Sequence, residues 1–148
     1  TGEDMYNIMQ LGAKGVQIAS RFVTTNECDA DIKFKKTYIN ASESEVEIIQ
    51  SAVGMPGRAL QGEFLEKVKL GLTRPKSCPY NCLHTCDYKV VPYCIIVTLY
   101  NAYKGKMDKG YAFAGSNAYL STKINTVKEV MDDIVAKFEK VKTLALSK

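Results

Sequence analysis

Apolar residues recur at helical spacing near the end of the chain, with polar residues between them. The stretch begins after Thr126-x-x-Glu129, a hydroxyl and carboxylate pairing that caps helix N-termini. This pattern predicts a long helix whose apolar stripe packs on a core or covers the rest of the chain. The stripe consists of Val127, Val130, Met131, Ile134, Val135, Phe138 and Val141.

The first 22 residues change from helical to strand-like patterning. Thr1-x-x-Asp4 has capping-box spacing, with Asp in place of the usual Glu. Residues 15–22 predict a buried strand, because Val16 and Ile18 are β-branched. Helix, short loop and strand form the second half of a βαβ unit. The strand that should precede the helix is not in the sequence, so we expect a fragment or a later segment that fills the gap.

The middle of the chain reads as short elements separated by glycine, proline and polar turns. Residues 73–92 are irregular and rich in cysteine. An arginine in the loop at 54–58, Arg58, either meets an anion or faces solvent. The predicted elements are a helix through Phe34, Tyr38 and Ile39 after an N-cap region at 24–27, a strand over 46–51, a helix over 59–70, and a helix that starts at Pro92 and ends at Gly105.

Composition narrows the class of protein. The 148 residues can bury a real core in one domain, and 46% of them are hydrophobic. A formal net charge of +4 without a basic stripe gives no reason to expect a nucleic-acid partner. No apolar run approaches the length of a membrane span, so we expect no membrane partner either. Five cysteines are an odd number, which favours a reducing cytoplasm over a disulfide framework.

Small residues mark two candidate ligand-facing segments. At the end of the predicted strand, Ala19-Ser20 would leave backbone N–H groups and a hydroxyl open to a phosphate. Residues 111–119 again mix aromatic and small residues with amide and hydroxyl side chains. This second segment is either another ligand-facing loop or a site where small residues let backbones approach closely.

Four of the five cysteines fall within a short span, which raises the prospect of zinc or an iron–sulfur cluster. In one straight helix the first and third would be ~12 Å apart along the axis. Two sulfurs on one zinc ion lie at most about 4.6 Å apart, so a single-metal site requires a bent loop. Free buried thiols are the alternative. The candidate ligands are Cys78, Cys82, Cys86 and Cys94.

Two further residues bear on metal binding or acid–base chemistry. His84, the only histidine, could ligate a metal or exchange protons, but an exposed loop position is favoured. Cys28 stands apart and is interpreted as structural. The sequence offers no defensible Ser–His–Asp or Cys–His arrangement and no paired-carboxylate signature.

Several segments, in this order, together resemble the C-terminal part of the nitronate monooxygenase family, also called 2-nitropropane dioxygenase-like, which includes flavin-dependent enoyl-acyl-carrier-protein reductases. The resemblance covers nearly the whole chain. The segments are Thr1-Gly2-Glu3-Asp4, Gly12 to Val23, Thr25-Asn26-Glu27-Cys28, Val53 to Ala59 and Phe113 to Tyr119.

The resemblance implies an α/β fold: the C-terminal part of an FMN-binding TIM-type (β/α)8 barrel, followed by a mainly helical cap. Residues 1–25 would be the last helix–strand step of the barrel with its phosphate-binding turn. Residues 26–148 would form the helical cap and substrate region, with the cysteine-rich loop at 73–94. The family's Gln-Met-Gly-Thr phosphate segment matches Gln17, Ile18, Ala19 and Ser20, and Gly115 and Ser116 are weaker candidates near the flavin or substrate.

The same resemblance leaves the catalytic residues upstream of Thr1, since His84 does not match the family's catalytic histidine. The intact protein is then expected to be an FMN-dependent oxidoreductase acting on nitronates, nitroalkanes or enoyl thioesters, with NAD(P)H as a candidate reductant. The chain alone is expected to be inactive, and to be oligomeric, poorly folded or bound to its missing barrel segment. The alternative is a non-catalytic module that binds a metal or an iron–sulfur cluster.

Overall fold

A computed structural model describes residues 1–84 and 86–147. Its elements divide between two compact units. The first contains residues 1–28 and 123–148, and the second contains residues 29–122. The helices are α1 (Gly2–Gln10), α2 (Ser20–Val23), α3 (Ile32–Ile39), α4 (Glu63–Lys69), α5 (Ile95–Tyr103) and α6 (Val127–Leu146), and the strands are β1 (Val46–Gln50) and β2 (Pro56–Leu60).

In the first unit, α1 packs against the long helix α6. The two capping boxes predicted at the helix N-termini are both formed, by Thr1 with Asp4 and by Thr126 with Glu129. Gly2 is buried at the crossing, where a Cβ atom would lie 2.6 Å from the backbone nitrogen of Phe138. The absence of a side chain at this position therefore allows the two helices to approach closely.

The predicted strand over residues 15–22 is wrong. Residues 15–19 adopt neither helix nor strand, and Ser20 begins the short helix α2. A strand is held by hydrogen bonds to a neighbouring strand. Among the described residues, the only paired strands are β1 and β2, and neither pairs with this segment. Val16 and Ile18 therefore have, among the described residues, no neighbouring strand with which to pair.

The second unit is built on the antiparallel hairpin of β1 and β2, with Val46 opposite Leu60 and Gln50 opposite Pro56. The free edge of β2 receives residues 112–114 in an extended conformation. The N–H of Leu60 donates to the carbonyl of Ala112 at 3.0 Å, and the N–H of Ala114 donates to the carbonyl of Arg58 at 2.9 Å. The hairpin thus positions the start of the predicted loop at 111–119.

Aromatic side chains dominate the core of the second unit. Phe64, Tyr93 and Tyr111 are buried against one another, and the Tyr93 hydroxyl donates to the Tyr111 hydroxyl at 3.1 Å. Burial and the Tyr93 hydroxyl both raise the pKa of Tyr111, so this phenol stays neutral. The core cluster comprises Ile49, Ala59, Phe64, Leu65, Tyr93 and Tyr111.

Several predicted elements of this unit are present with different bounds. The strand over 46–51 is confirmed as β1, and the helix through Ile39 is confirmed but starts after Asp31 rather than in the 24–27 region. The helix predicted over 59–70 starts only at Glu63, because Ala59 and Leu60 belong to β2. The helix predicted from Pro92 starts at Ile95.

Candidate functional site

The candidate phosphate-binding residues lie in the first unit, immediately before and at the start of α2. Gln17 and Ala19 are exposed, Ile18 is half-buried, and Ser20 is the first residue of α2. Within the described part of the chain, residues 15–19 donate no backbone hydrogen bonds. These N–H groups remain open to solvent or to an anion, which is the donor set that a phosphate requires.

The polypeptide that follows this turn is fixed to α6 by an ion pair. The guanidinium of Arg21 contacts the Asp133 carboxylate at 2.6 Å, and Lys137 contacts the same carboxylate at 2.9 Å. The pKa of Asp133 is lowered, first by its hydrogen bond to Lys137; desolvation opposes this effect, and the hydrogen bond to Arg21 adds a smaller lowering. Residues 17–19 therefore directly precede a short helix that this ion pair joins to α6.

A second attachment joins the residues after α2 to the segment that leads into α6. The Glu27 carboxylate accepts hydrogen bonds from the backbone N–H of Val127 at 2.9 and 3.0 Å. Backbone bonds from Asn26 to the Asn125 carbonyl, at 2.8 Å, and from Asn125 to the Thr24 carbonyl, at 3.1 Å, join the same two segments. Sequence reasoning missed these contacts, which join residues about a hundred positions apart; the acidic residue before Cys28 was the only available signal.

The weaker candidates Gly115 and Ser116 lie in the second unit, directly after the segment that pairs with β2. Both are exposed, and a turn closes behind them where the N–H of Ala118 donates to the Gly115 carbonyl at 3.1 Å. The Tyr38 hydroxyl donates to the Phe113 carbonyl, which fixes the polypeptide just before them. Residues 111–119 thus contain buried, closely packed residues at Tyr111 and Ala118 and an exposed turn between them.

Arg58 lies on the exposed side of β2 and makes no ion pair among residues 1–84 and 86–147. Its backbone, not its side chain, contacts the segment before Gly115. The guanidinium therefore faces solvent, as one of the two interpretations of the sequence expected.

The four clustered cysteines line one pocket of the second unit, which we call the cysteine pocket. Cys78, Cys82 and Cys86 come from the irregular segment, and Cys94 is the N-cap residue of α5. All are free thiols. Desolvation, followed by the proximity of the other three sulfurs, raises the pKa of the Cys86 thiol. The sequence cluster is thus also a spatial cluster.

This pocket is not a ready-made metal site. Within residues 1–84 and 86–147, no group of three or more His, Cys, Asp or Glu side chains is arranged to hold a metal ion. His84 is exposed and does not line the pocket, as favoured from the sequence. Cys28 lies in the first unit, apart from the cluster.

Loop residues that sequence reasoning missed shape the cysteine pocket. Asn81 has a positive φ of 44°, a left-handed conformation that asparagine tolerates better than most residues. The Thr73 hydroxyl donates to the Pro92 carbonyl at 2.9 Å and joins the two ends of the irregular segment. An asparagine directly before Cys82 was the available signal; nothing in the sequence marked Thr73.

Comparisons with known proteins agree with the resemblance. A "Probable nitronate monooxygenase" of Staphylococcus haemolyticus is 26% identical over 140 residues, which are 90% of this chain and 34% of the relative. Another from Staphylococcus saprophyticus is 30% identical over 67 residues, or 45% of this chain and 19% of the relative. The chain thus spans about a third or less of the curated relatives it matches.

Solved structures give the same result. FabK from Thermotoga maritima matches with a TM-score of 0.75 and 25% identity, over 99% of this chain and 44% of that protein. A mutant of the same FabK matches with a TM-score of 0.73 and 24% identity, over 99% and 42% of the two chains. The family model for nitronate monooxygenase matches residues 1–137. The chain therefore belongs to the nitronate monooxygenase family.

Proposed function

We propose that this chain is the C-terminal segment of an FMN-dependent oxidoreductase that acts on nitronates or nitroalkanes, or on enoyl thioesters. Its role is to supply part of the FMN phosphate site and part of the active-site cover. The observation that carries this proposal is the family match over residues 1–137. Because the chain spans 44% of FabK, the activity belongs to the whole protein and not to this segment.

Residues 17–20 are proposed to hold the FMN phosphate. Their support is the correspondence with the family's phosphate segment, together with the open backbone N–H groups of residues 17–19 and the exposed positions of Gln17 and Ala19. The methyl group of Ala19, where the family has glycine, narrows the space for the phosphate. Ser20 retains a hydroxyl at the family's threonine position.

FMN, when bound, would supply the redox chemistry, taking electrons from a nitronate or from NAD(P)H and passing them to oxygen or to an enoyl thioester. The residues of this chain would bind and orient the cofactor and exclude water. Gly115 and Ser116 are proposed to lie near the flavin or substrate. Their support is an exposed turn whose preceding backbone is fixed by β2.

Exposed apolar side chains support a partner for the first unit. Leu11 is 84% exposed, Val16 is 39% exposed and Val135 is 53% exposed. The remaining barrel segment is the proposed partner, since burial against it would remove these apolar side chains from water.

The first experiment measures flavin content in the complete purified protein and in an Ala19→Asp variant. A carboxylate placed against a phosphate should lower FMN occupancy by about tenfold or more, since one unit of like-charge repulsion in a poorly solvated site exceeds ~1.4 kcal/mol. Ala136→Asp, at an exposed position of α6, introduces the same charge and is the matched control. Equal flavin content in both variants, at equal thermal stability, would contradict the assignment of residues 17–20.

Substrate assays then separate the two activities. Oxygen consumption with a nitronate and without NAD(P)H would support the monooxygenase. NAD(P)H oxidation that depends on an enoyl thioester would support the reductase. Absence of flavin and of both activities would favour the non-catalytic alternative. In the structure, no helix among the described residues has the length and apolar character needed to cross a membrane, and the free cysteines support the proposal of a reducing, cytoplasmic location.

A further inference from the structure

The cysteine pocket brings together sulfur atoms that come from different local structures. Cys78 and Cys86 belong to the irregular segment, whereas Cys94 precedes α5 and follows Tyr93, which is 2% exposed and part of the core. One thiol is therefore fixed by the core, while the others lie on a loop. Residues 78–84 are not helical, so the ~12 Å separation that a straight helix would impose does not apply.

The composition of the pocket favours soft metal ligation. Its walls are largely apolar, including Val53, Leu83, Val91 and Ile95. Among the described residues, no lysine, arginine, histidine, aspartate or glutamate lines it. Sulfur is thus the principal donor, and thiolates select zinc and iron–sulfur clusters over hard cations such as magnesium or calcium.

The same composition argues against a nucleophilic or redox-active thiol. Reactive cysteines lie beside a cation or at a helix N-terminus that stabilises the thiolate. No cationic side chain lines this pocket. Cys94 lies at the N-terminus of α5, but Cys78, Cys82 and Cys86 have neither form of activation. The group as a whole therefore favours joint ligation, in which the metal itself stabilises the thiolates.

Local contacts restrain the loop that carries the thiols. The Thr73–Pro92 hydrogen bond joins its ends, and Asp87 accepts a hydrogen bond from the N–H of Lys89 at 2.9 Å between Cys86 and Cys94. Asn81, directly before Cys82, adopts a left-handed conformation. The four thiols line one pocket within this restrained loop and at its junction with α5.

We propose that the cysteine pocket binds a thiophilic metal centre through its four thiolates, in addition to the proposed flavin site. Zinc and an iron–sulfur cluster share this tetrathiolate chemistry. The thiols would lose their protons on binding, and the loop would draw in to complete the coordination, as expected when metal binding is coupled to folding.

The test uses the complete protein purified without oxygen, with metal and inorganic sulfide measured per chain alongside flavin. Separate samples are reconstituted with ferrous iron plus sulfide and with zinc alone. Iron and sulfide in equal amounts with broad visible absorption would identify a cluster, whereas one zinc per chain without colour would identify a zinc site. Either result supports the proposal, and flavin content reports independently on the proposed enzyme function.

Variants locate the centre. Changing an outer-shell partner of a metal ligand already costs roughly 10- to 100-fold in metal affinity, so Cys82→Ser and Cys86→Ser should each lower occupancy by at least about tenfold. Cys28→Ser, which changes the fifth cysteine in the other unit, is the matched control and should retain full occupancy. Substoichiometric metal, disulfides among the four cysteines after anaerobic purification, or occupancy equal in all three variants would overturn the proposal.

Discussion

Arg21 and Asp133 form an ion pair at 2.6 Å that joins the start of α2 to the middle of α6 across 112 positions of sequence. The two side chains are 33% and 34% exposed. The pair is therefore only partly screened by solvent, and it restrains the polypeptide directly after the proposed phosphate turn.

The stability of the protein should depend on pH through Asp133, which contacts both Lys137 and Arg21. Because the folded-state pKa of Asp133 is lowered, its contribution is present above the unfolded value near pH 4 and is lost as the pH falls through the lowered pKa. Asp133→Asn should cost up to about 1 kcal/mol at pH 7 and should reduce the loss of stability between neutral and acid pH. Denaturant titrations at pH 7 and below pH 4 measure both effects.

Asp132→Asn is the control for that experiment, because Asp132 contacts only Lys128 one turn away on the same helix. Such exposed pairs contribute roughly 0.3–0.5 kcal/mol. If the two variants lose equal stability and show the same acid profile, the contacts of Asp133 with Arg21 and Lys137 stabilise the protein no more than the exposed Lys128–Asp132 pair does.

The crossing of α1 and α6 should not tolerate a methyl group at Gly2. A Cβ atom there would meet the carbonyl oxygen of Ile134 and the backbone of Phe138, which belong to the helix and cannot rotate away. Gly2→Ala should therefore destabilise the protein by about 1–3 kcal/mol. Gly15→Ala, where no atom lies within 4 Å of the new methyl group, should change stability little. Similar midpoints of thermal unfolding for the two variants would contradict this packing.

The buried phenol of Tyr111 should make the protein sensitive to alkali. Its pKa is raised by burial and by Tyr93, so only the unfolded state ionises above pH ~10, and stability should fall by up to about 1.4 kcal/mol per pH unit there. Tyr111→Phe should lower stability at pH 8 by about 1–3 kcal/mol, since the Tyr93 hydroxyl loses its partner.

Between pH 10 and pH 11, Tyr111→Phe should lose less stability than the unchanged protein. The reason is that its unfolded state has one tyrosine fewer to ionise near pH 10. Tyr100→Phe is the control, because Tyr100 is 59% exposed and lies outside the core. An alkaline slope that is unchanged in Tyr111→Phe would show that other groups control it.

The N-terminus of α6 should depend on Glu27 as well as on its own capping box. Glu27→Ala removes both acceptors from the Val127 N–H, and the loss of a cap typically costs about 0.5–2 kcal/mol. Glu139→Ala removes a carboxylate from the same helix that contacts only Lys142 and should cost less. Hydrogen exchange at the first turn of α6 should accelerate only in the Glu27 variant.

Signals confined to a few neighbouring residues were read correctly from the sequence. The capping boxes at Thr1 and Thr126 involve partners three positions away, and glycines with positive φ follow α4 and α5 as expected. The convergence of the four cysteines was also partly readable, because their closeness in sequence limits their separation in space. Family membership was readable from the order of several segments together.

Features that depend on distant partners were not readable. Residues 15–19 have strand-like composition, but no strand pairs with them in the part of the chain that the structure describes, so local propensity failed there. Ala59 and Leu60 look helical in isolation, yet their pairing with β1 and with residues 112–113 places them in a strand. The contacts of Arg21 and Glu27 with α6 leave no pattern in the surrounding residues.

The division of the chain has a consequence for the order of folding during synthesis. The second unit is continuous in sequence and is translated completely before the last helix begins. Helix α1 is translated before the second unit, whereas its packing partner α6 is translated after it. Helix α1 therefore lacks its native contacts with α6 until that last helix has been translated. During that interval a chaperone or an upstream neighbour has access to the apolar face of α1.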